Sequence, residues 1–177
     1  EEANRRLTDV LTDIDLPPTS WAKKNLLAEG KLDKNMVITG NTAVDAVHHV
    51  LDRTILPNHL PKQKLVYITM HRRENLPMMA GLAEAIANVA KAHPDYTFAY
   101  PVHLNPAVRD AVYPAMKNVP NIILDEPYDF LTSLAAQKHA ELIITDSGGI
   151  QEEGTALGIP VVVLRNVTER PEGVDVG

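Results

Sequence analysis

From residue 65 onward, short apolar runs alternate with longer stretches whose apolar residues recur every three to four positions. The runs 65–70, 96–102, 122–124, 142–145 and 161–164 read as strands. The intervening stretches 78–92, 106–117, 128–139 and 148–157 read as helices, the first with Leu82, Ile86 and Val89 facing inward. Leu142-Ile143-Ile144 and Val161-Val162-Val163 are uninterrupted apolar trios, the pattern of strands buried on both faces. Strands alternating with helices predict an α/β fold, a Rossmann-like parallel sheet with helices on both faces and right-handed crossovers. In such sheets ligands gather beyond the carboxyl ends of the strands.

The first sixty residues follow a different rhythm. Leu7, Val10 and Leu11 give residues 1–11 helical spacing, and Asp15-Leu16-Pro17-Pro18 breaks it. Thr19 or Ser20 caps a second helix, 21–29, which stops at Gly30. Residues 36–39 read as a short strand, Gly40-Asn41 as a turn, and 42–54 as a helix with Val44, Val47 and Leu51 on one face. The stretch 56–64, holding Pro57 and Pro61, reads as a linker.

Composition narrows the classes. With 177 residues, 45% hydrophobic and 23% charged, the chain suits one globular domain with a core, or one domain plus part of another. A formal charge of −6 argues against a broad nucleic-acid footprint but leaves room for a local anion site. There is no cysteine, which excludes disulfides, thiolate metal sites and a cysteine nucleophile. No apolar run approaches the ~18 residues of a membrane span and no signal peptide is visible, so a cytoplasmic location is expected. The start at Glu1-Glu2, without methionine, reads as that of a piece of a longer protein.

Three polar clusters fall on the expected ligand edge. Ser147-Gly148-Gly149 lies between a strand and a helix, where free N–H groups, the helix dipole and glycines suit a phosphate. The same residues would also serve as an ordinary cap and tight turn, with Glu152 and Glu153 near the positive end. His71-Arg72-Arg73-Glu74 ends the first strand of the regular region. Its guanidiniums suit a diphosphate or carboxylate and His71 a proton donor; a solvated loop with Glu74 paired to an arginine is the alternative. Arg165 and Arg170 lie beyond the last strand, with ion pairing at the surface as the alternative. His103 faces the same edge, although Asn105 before Pro106 is also a natural helix cap. The remaining histidines lack metal-ligand spacing, so no metal site is expected. Neither G-x-G-x-x-G nor a Walker A loop is present.

In order and spacing these clusters resemble the bacterial non-hydrolysing UDP-N-acetylglucosamine 2-epimerases. The matching segments are Glu1 to Arg5, Gly40-Asn41-Thr42, His71 to Glu74, Pro101 to Pro106, Thr145 to Glu153 and Thr168 to Glu172. The resemblance implies one half of a GT-B pair of Rossmann-like domains: residues 1–60 a lead-in and 61–177 a UDP-binding domain, truncated at its C-terminus. It implies interconversion of UDP-GlcNAc and UDP-ManNAc through elimination and re-addition of UDP, without NAD, other cofactor or metal. A homodimer serving cell-surface polysaccharide synthesis is implied for the full-length protein. Ser147, Gly148 and Gly149 would hold the diphosphate, Glu153 the ribose hydroxyls, and Arg170 would lie at the phosphate side. His71 would assist departure of UDP, and Glu1 matches an active-site carboxylate. Arg72 and His103 match a second, allosteric UDP-GlcNAc site. The family's other two catalytic carboxylates lie in the N-terminal domain, so this piece alone is expected to be inactive. A GT-B glycosyltransferase domain and a non-catalytic UDP-sugar-binding module are the alternatives.

Overall fold

Alternate residues of the strand Leu65–Thr69 (β1) feed two separate cores, the signature of a strand covered on both sides. The computed structural model describes residues 2–168 and 170–175. Val66 and Ile68 join Phe98 and Tyr100 of Thr97–Pro101 (β2) in one core. Leu65 and Tyr67 join Ala99 and, from Ala140–Thr145 (β4), Ile143 in the other. The first core is roofed by the helices Met79–Ala92 (α4) and Pro106–Met116 (α5). The second is covered by Phe130–His139 (α6), through Ala136, and by Gly148–Leu157 (α7), through Ile150. The expected helices on both faces are present.

Ile122–Asp125 (β3) and Val161–Val163 (β5) complete a five-stranded sheet in the order β3-β2-β1-β4-β5, every pairing parallel. The chain builds outward from β1 through β2 to β3, then returns to lay β4 on the other side of β1. The order of strand addition therefore reverses between β1 and β4, although the strands stay parallel. α4 leaves one strand and α7 the other, toward opposite faces, and a crevice opens at the carboxyl ends between them.

Two expectations about packing fail for physical reasons. Val89 is 49% exposed, because the inward stripe of α4 runs through Met79, Ala83, Ile86, Ala87 and Ala90, with Leu82 only partly buried. The small alanines, not the larger Val89, set the contact with the sheet. Val162 is 46% exposed because β5 is an edge strand, so this trio is not buried on both faces.

The chain divides into two compact units, residues 1–45 and 46–177. The first holds the helices Glu2–Leu11 (α1) and Ser20–Ala28 (α2), the latter capped by Thr19, whose side chain accepts from the Ala22 N–H. Leu7, Val10 and Leu11 keep their helical spacing but are exposed. Residues 36–39 form no strand: a single bridge joins Asp15 to Met36. The helix expected over 42–54 is Thr42–Val50 (α3) followed by a 3-10 turn, Leu51–Arg53, and only Val47 on it is fully buried. A short helix, Pro171–Asp175 (α8), ends the described chain. Among the described residues no helix is long and apolar enough to cross a membrane.

α7 stops at Gly158, whose φ of +69° lets its N–H reach the carbonyls of Gly154 and Thr155. Gly158→Ala forces a side chain into the left-handed region and is expected to cost about 1 kcal/mol. Urea unfolding with an unchanged m-value would show it; equal stability would mean the turn relaxes freely.

Candidate functional site

The two strand ends at the crevice are tied together by one buried carboxylate. Asp146, fully buried directly after β4, accepts the His71 N–H with both oxygens (3.1 Å each). Its Oδ2 also accepts the Arg72 N–H (2.9 Å) and the Asn75 side-chain amide (3.0 Å). Asn75, itself buried, uses the same amide nitrogen to reach the Leu164 carbonyl (2.9 Å) after β5. Beneath this junction the hydroxyls of Thr69 and Thr145 meet at 2.6 Å, where β1 and β4 are in register. The loop after β1 is therefore moulded onto the end of β4, with its 3-10 turn at Arg73–Met78.

α7 begins at the same point. Ser147 is its N-cap residue in extended backbone, and its side chain makes no capping bond. The Ser147 N–H turns inward to the Thr145 hydroxyl (3.0 Å), while Gly148 is buried and Gly149 exposed. A helix start whose cap hydroxyl is not spent on its own backbone, beside the His71 and His103 side chains, is suited to an anion. Two acids on the next turns have different partners. Glu152 is paired with the Arg170 guanidinium, and the Arg170 N–H reaches the Thr168 hydroxyl (3.1 Å). Glu153 accepts from the side-chain amide of Gln137 on α6 (2.6 Å). Burial pushes its carboxyl above the ordinary value; the Gln137 bond opposes that and the neighbouring Glu152 adds to it.

At the ends of β1 and β2 the rings of His71 and His103 stack, with centroids 5.5 Å apart and planes 14° from parallel. His71 Nδ1 lies 3.7 Å from Asp146 Oδ1. Burial holds the His71 imidazole below its usual range; Asp146 pulls it back up, and His103 and Arg72 push it further down. Between these rings and Ser147 lies a cavity of about 210 Å³, floored by Tyr67 and walled by Tyr128, Ser133 and Ile150. His71, His103 and Ser147 thus line one cavity; Gly148 and Gly149 follow Ser147 in α7, and the Arg72 backbone N–H is spent on Asp146. Glu153 lies more than a turn along α7, and Arg170, just before α8, reaches that helix through Glu152. Glu1 lies outside the described residues. Among these no three His, Asp or Glu side chains gather as metal ligands would.

The family model described as UDP-N-acetylglucosamine 2-epimerase matches residues 1–177. The chain belongs to the UDP-N-acetylglucosamine 2-epimerase family. It is 42% identical to the UDP-N-acetylglucosamine 2-epimerase of Escherichia coli K12 over 190 residues, which cover 100% of this chain and 50% of that protein. Among solved structures it is similar to the Neisseria meningitidis UDP-GlcNAc 2-epimerase bound to UDP-GlcNAc, with a TM-score of 0.92 and 39% identity over 99% of this chain and 50% of the other. It is similar also to the S. aureus MnaA–UDP co-structure, with a TM-score of 0.93 and 41% identity over 99% and 49%. The chain spans about half the length of the curated relatives it matches.

Within this epimerase-family chain, some of the alternative structural readings are also realised. Glu74 pairs with Arg165 (2.8 Å), and Asn105 caps α5 by accepting the Ala107 N–H (3.0 Å). His103 Nδ1 accepts the Asn105 N–H (3.1 Å), so the cap also fixes the ring that stacks on His71. Sequence reasoning missed Asp146, Asn75 and Gln137. Asp146 had a signal, being an acid at the end of an apolar run; the two amides had none, since their partners lie 71 and 16 residues away.

Proposed function

We propose that this chain is the UDP-binding portion of a UDP-GlcNAc 2-epimerase, residues 1–60 forming a lead-in and 61–177 the nucleotide-binding domain of a GT-B pair. The observation that carries the reading is the meeting of the Ser147-Gly148-Gly149 helix start with the His71-Arg72 loop at the point where the strand order reverses. The loop is fixed by Asp146 and the Ser147 N–H by the Thr145 hydroxyl, so both segments are oriented before a ligand arrives. Relatives of the same fold are described in complex with UDP-GlcNAc and UDP.

In this reading Ser147 and the N–H groups of Gly148 and Gly149 hold the diphosphate, Arg170 lies at its outer side, and Glu153 takes the ribose hydroxyls. His71 donates a hydrogen bond to the departing diphosphate. The C1–O bond breaks as C2 loses its proton, giving the 2-acetamidoglucal and UDP. Re-addition of UDP at C1, with a proton delivered to the opposite face of C2, gives UDP-ManNAc. The proton transfers fall to carboxylates, Glu1 among them and the others in the family's N-terminal domain. Arg72 and His103 belong to a second UDP-GlcNAc site that activates the enzyme. The whole protein works as a cytoplasmic homodimer, with neither metal nor NAD.

Calorimetric titration with UDP tests the site. Ser147→Ala and Glu153→Ala are each expected to weaken binding about 10-fold, the loss of one hydrogen bond to a charged group; undiminished affinity in both would refute the assignment. For the reaction, the full-length protein turning over UDP-GlcNAc in heavy water should place deuterium at C2, which a sugar-transferring relative of the same fold would not.

A further inference from the structure

The cavity backs onto a line of buried and half-buried polar side chains. Gln137, fully buried on α6, donates Nε2–H to Glu153 Oε2 at 2.6 Å and to Ser133 Oγ at 3.3 Å. Ser133 Oγ pairs with the Tyr67 hydroxyl at 2.8 Å, which roots the line in β1. At the other end of the same amide, Gln137 Oε1 is buried with no hydrogen-bond partner. A buried amide oxygen left unpaired is a cost to the fold, and a methionine would fill the same volume without it. What glutamine adds is the donor to Glu153. The two acids of α7 are thus held differently: Glu152 is tied to an arginine, whereas Glu153 is held through one oxygen by a rigid, buried amide. Its second oxygen accepts no hydrogen bond from the described residues.

We propose that Gln137 is a positioning residue for nucleotide recognition: it pins Glu153 by one oxygen and so presents the other to the vicinal hydroxyls of a nucleoside diphosphate's ribose. The inference rests on the reading of α7 as the UDP site. A glutamate side chain has three torsions to fix before it can accept two hydroxyls, and an amide that fixes them in advance removes that cost from binding. Gln137 then sets how strongly the site distinguishes ribose from a sugar lacking those hydroxyls. It does so without touching the ligand.

The test compares UDP with 2′,3′-dideoxy-UDP by calorimetry on the wild-type chain, Gln137→Met and Gln137→Asn. Methionine keeps the length but not the donor; asparagine keeps the amide but falls a methylene short. Wild type is expected to prefer UDP by about 10-fold or more, and both variants to lose most of that preference. Affinity for the dideoxy compound should stay within about 2-fold, which also reports that the site is folded. Equal losses for both ligands would make Gln137 a merely structural residue and overturn the proposal, as would a retained preference in the variants. If wild type itself shows no preference, the ribose role of Glu153 fails instead, and the proposal falls with it. Should Gln137→Met not fold, Gln137→Asn carries the same comparison.

Discussion

Asp146→Ala is expected to lower unfolding free energy by about 3–5 kcal/mol, among the largest effects available to a single substitution in this chain. The carboxylate is fully buried and faces two backbone N–H groups and a side-chain amide. Alanine leaves both backbone N–H groups without an acceptor at the centre of the sheet edge and strips the Asn75 amide of one of its two. Asp146→Asn keeps the shape but supplies one acceptor oxygen and turns an NH₂ toward the same donors, so an intermediate loss of about 2 kcal/mol is expected. Urea unfolding checks both; stability within about 0.5 kcal/mol of wild type in the alanine variant would refute the anchoring role.

The same substitution has a second reading through His71. Burial depresses this imidazole below its unfolded value, and Asp146 is the group that pulls it upward. Because the folded state resists protonation here, this group's contribution to stability is present above the unfolded value near 6.5 and lost as pH falls through the lower folded value. Asp146→Asn removes the upward pull, so the His71 titration followed by NMR should move to still lower pH. A move upward would mean that the carboxylate is not the dominant charge at the ring.

Much of the fold was legible because its signals are local. The apolar trio at 142–144 and the Pro106 start of α5 are patterns a few residues long, and they placed strands and helices nearly where they lie. What was not legible depends on neighbours far along the chain. Val89 reads as inward by size, yet the close approach of α4 to the sheet is set by Ala83, Ala87 and Ala90. Val162 reads as buried, yet strand order alone makes β5 an edge. The candidate site divides in the same way. Ser147 and the His71 loop are visible as motifs at strand ends, but their junction through Asp146 and Asn75 spans more than seventy residues. An amide such as Gln137, inside a helix with small neighbours, carries no mark in sequence of the acid that it holds.

Gly154→Ala is expected to destabilise the fold by about 1–3 kcal/mol, against the sign that helix propensity alone would give. Alanine is favoured over glycine within a helix by about 1 kcal/mol. Gly154, however, is the buried point where α7 lies on the sheet: an added Cβ would meet Val161 Cγ2 at 2.7 Å and Ile143 Cδ1 at 3.0 Å. Val161 is β-branched and held in β5, so it has little room to swing aside. The helix must therefore lift, and its first residues are Gly148 and Gly149. A stability loss should for that reason be accompanied by weaker UDP binding, although Gly154 is more than a turn from Ser147. Val161→Ala removes the atom in the way, so the double variant is expected to recover most of both losses. Purely additive effects in that cycle would show that the contact with Val161 is not what glycine at this position serves.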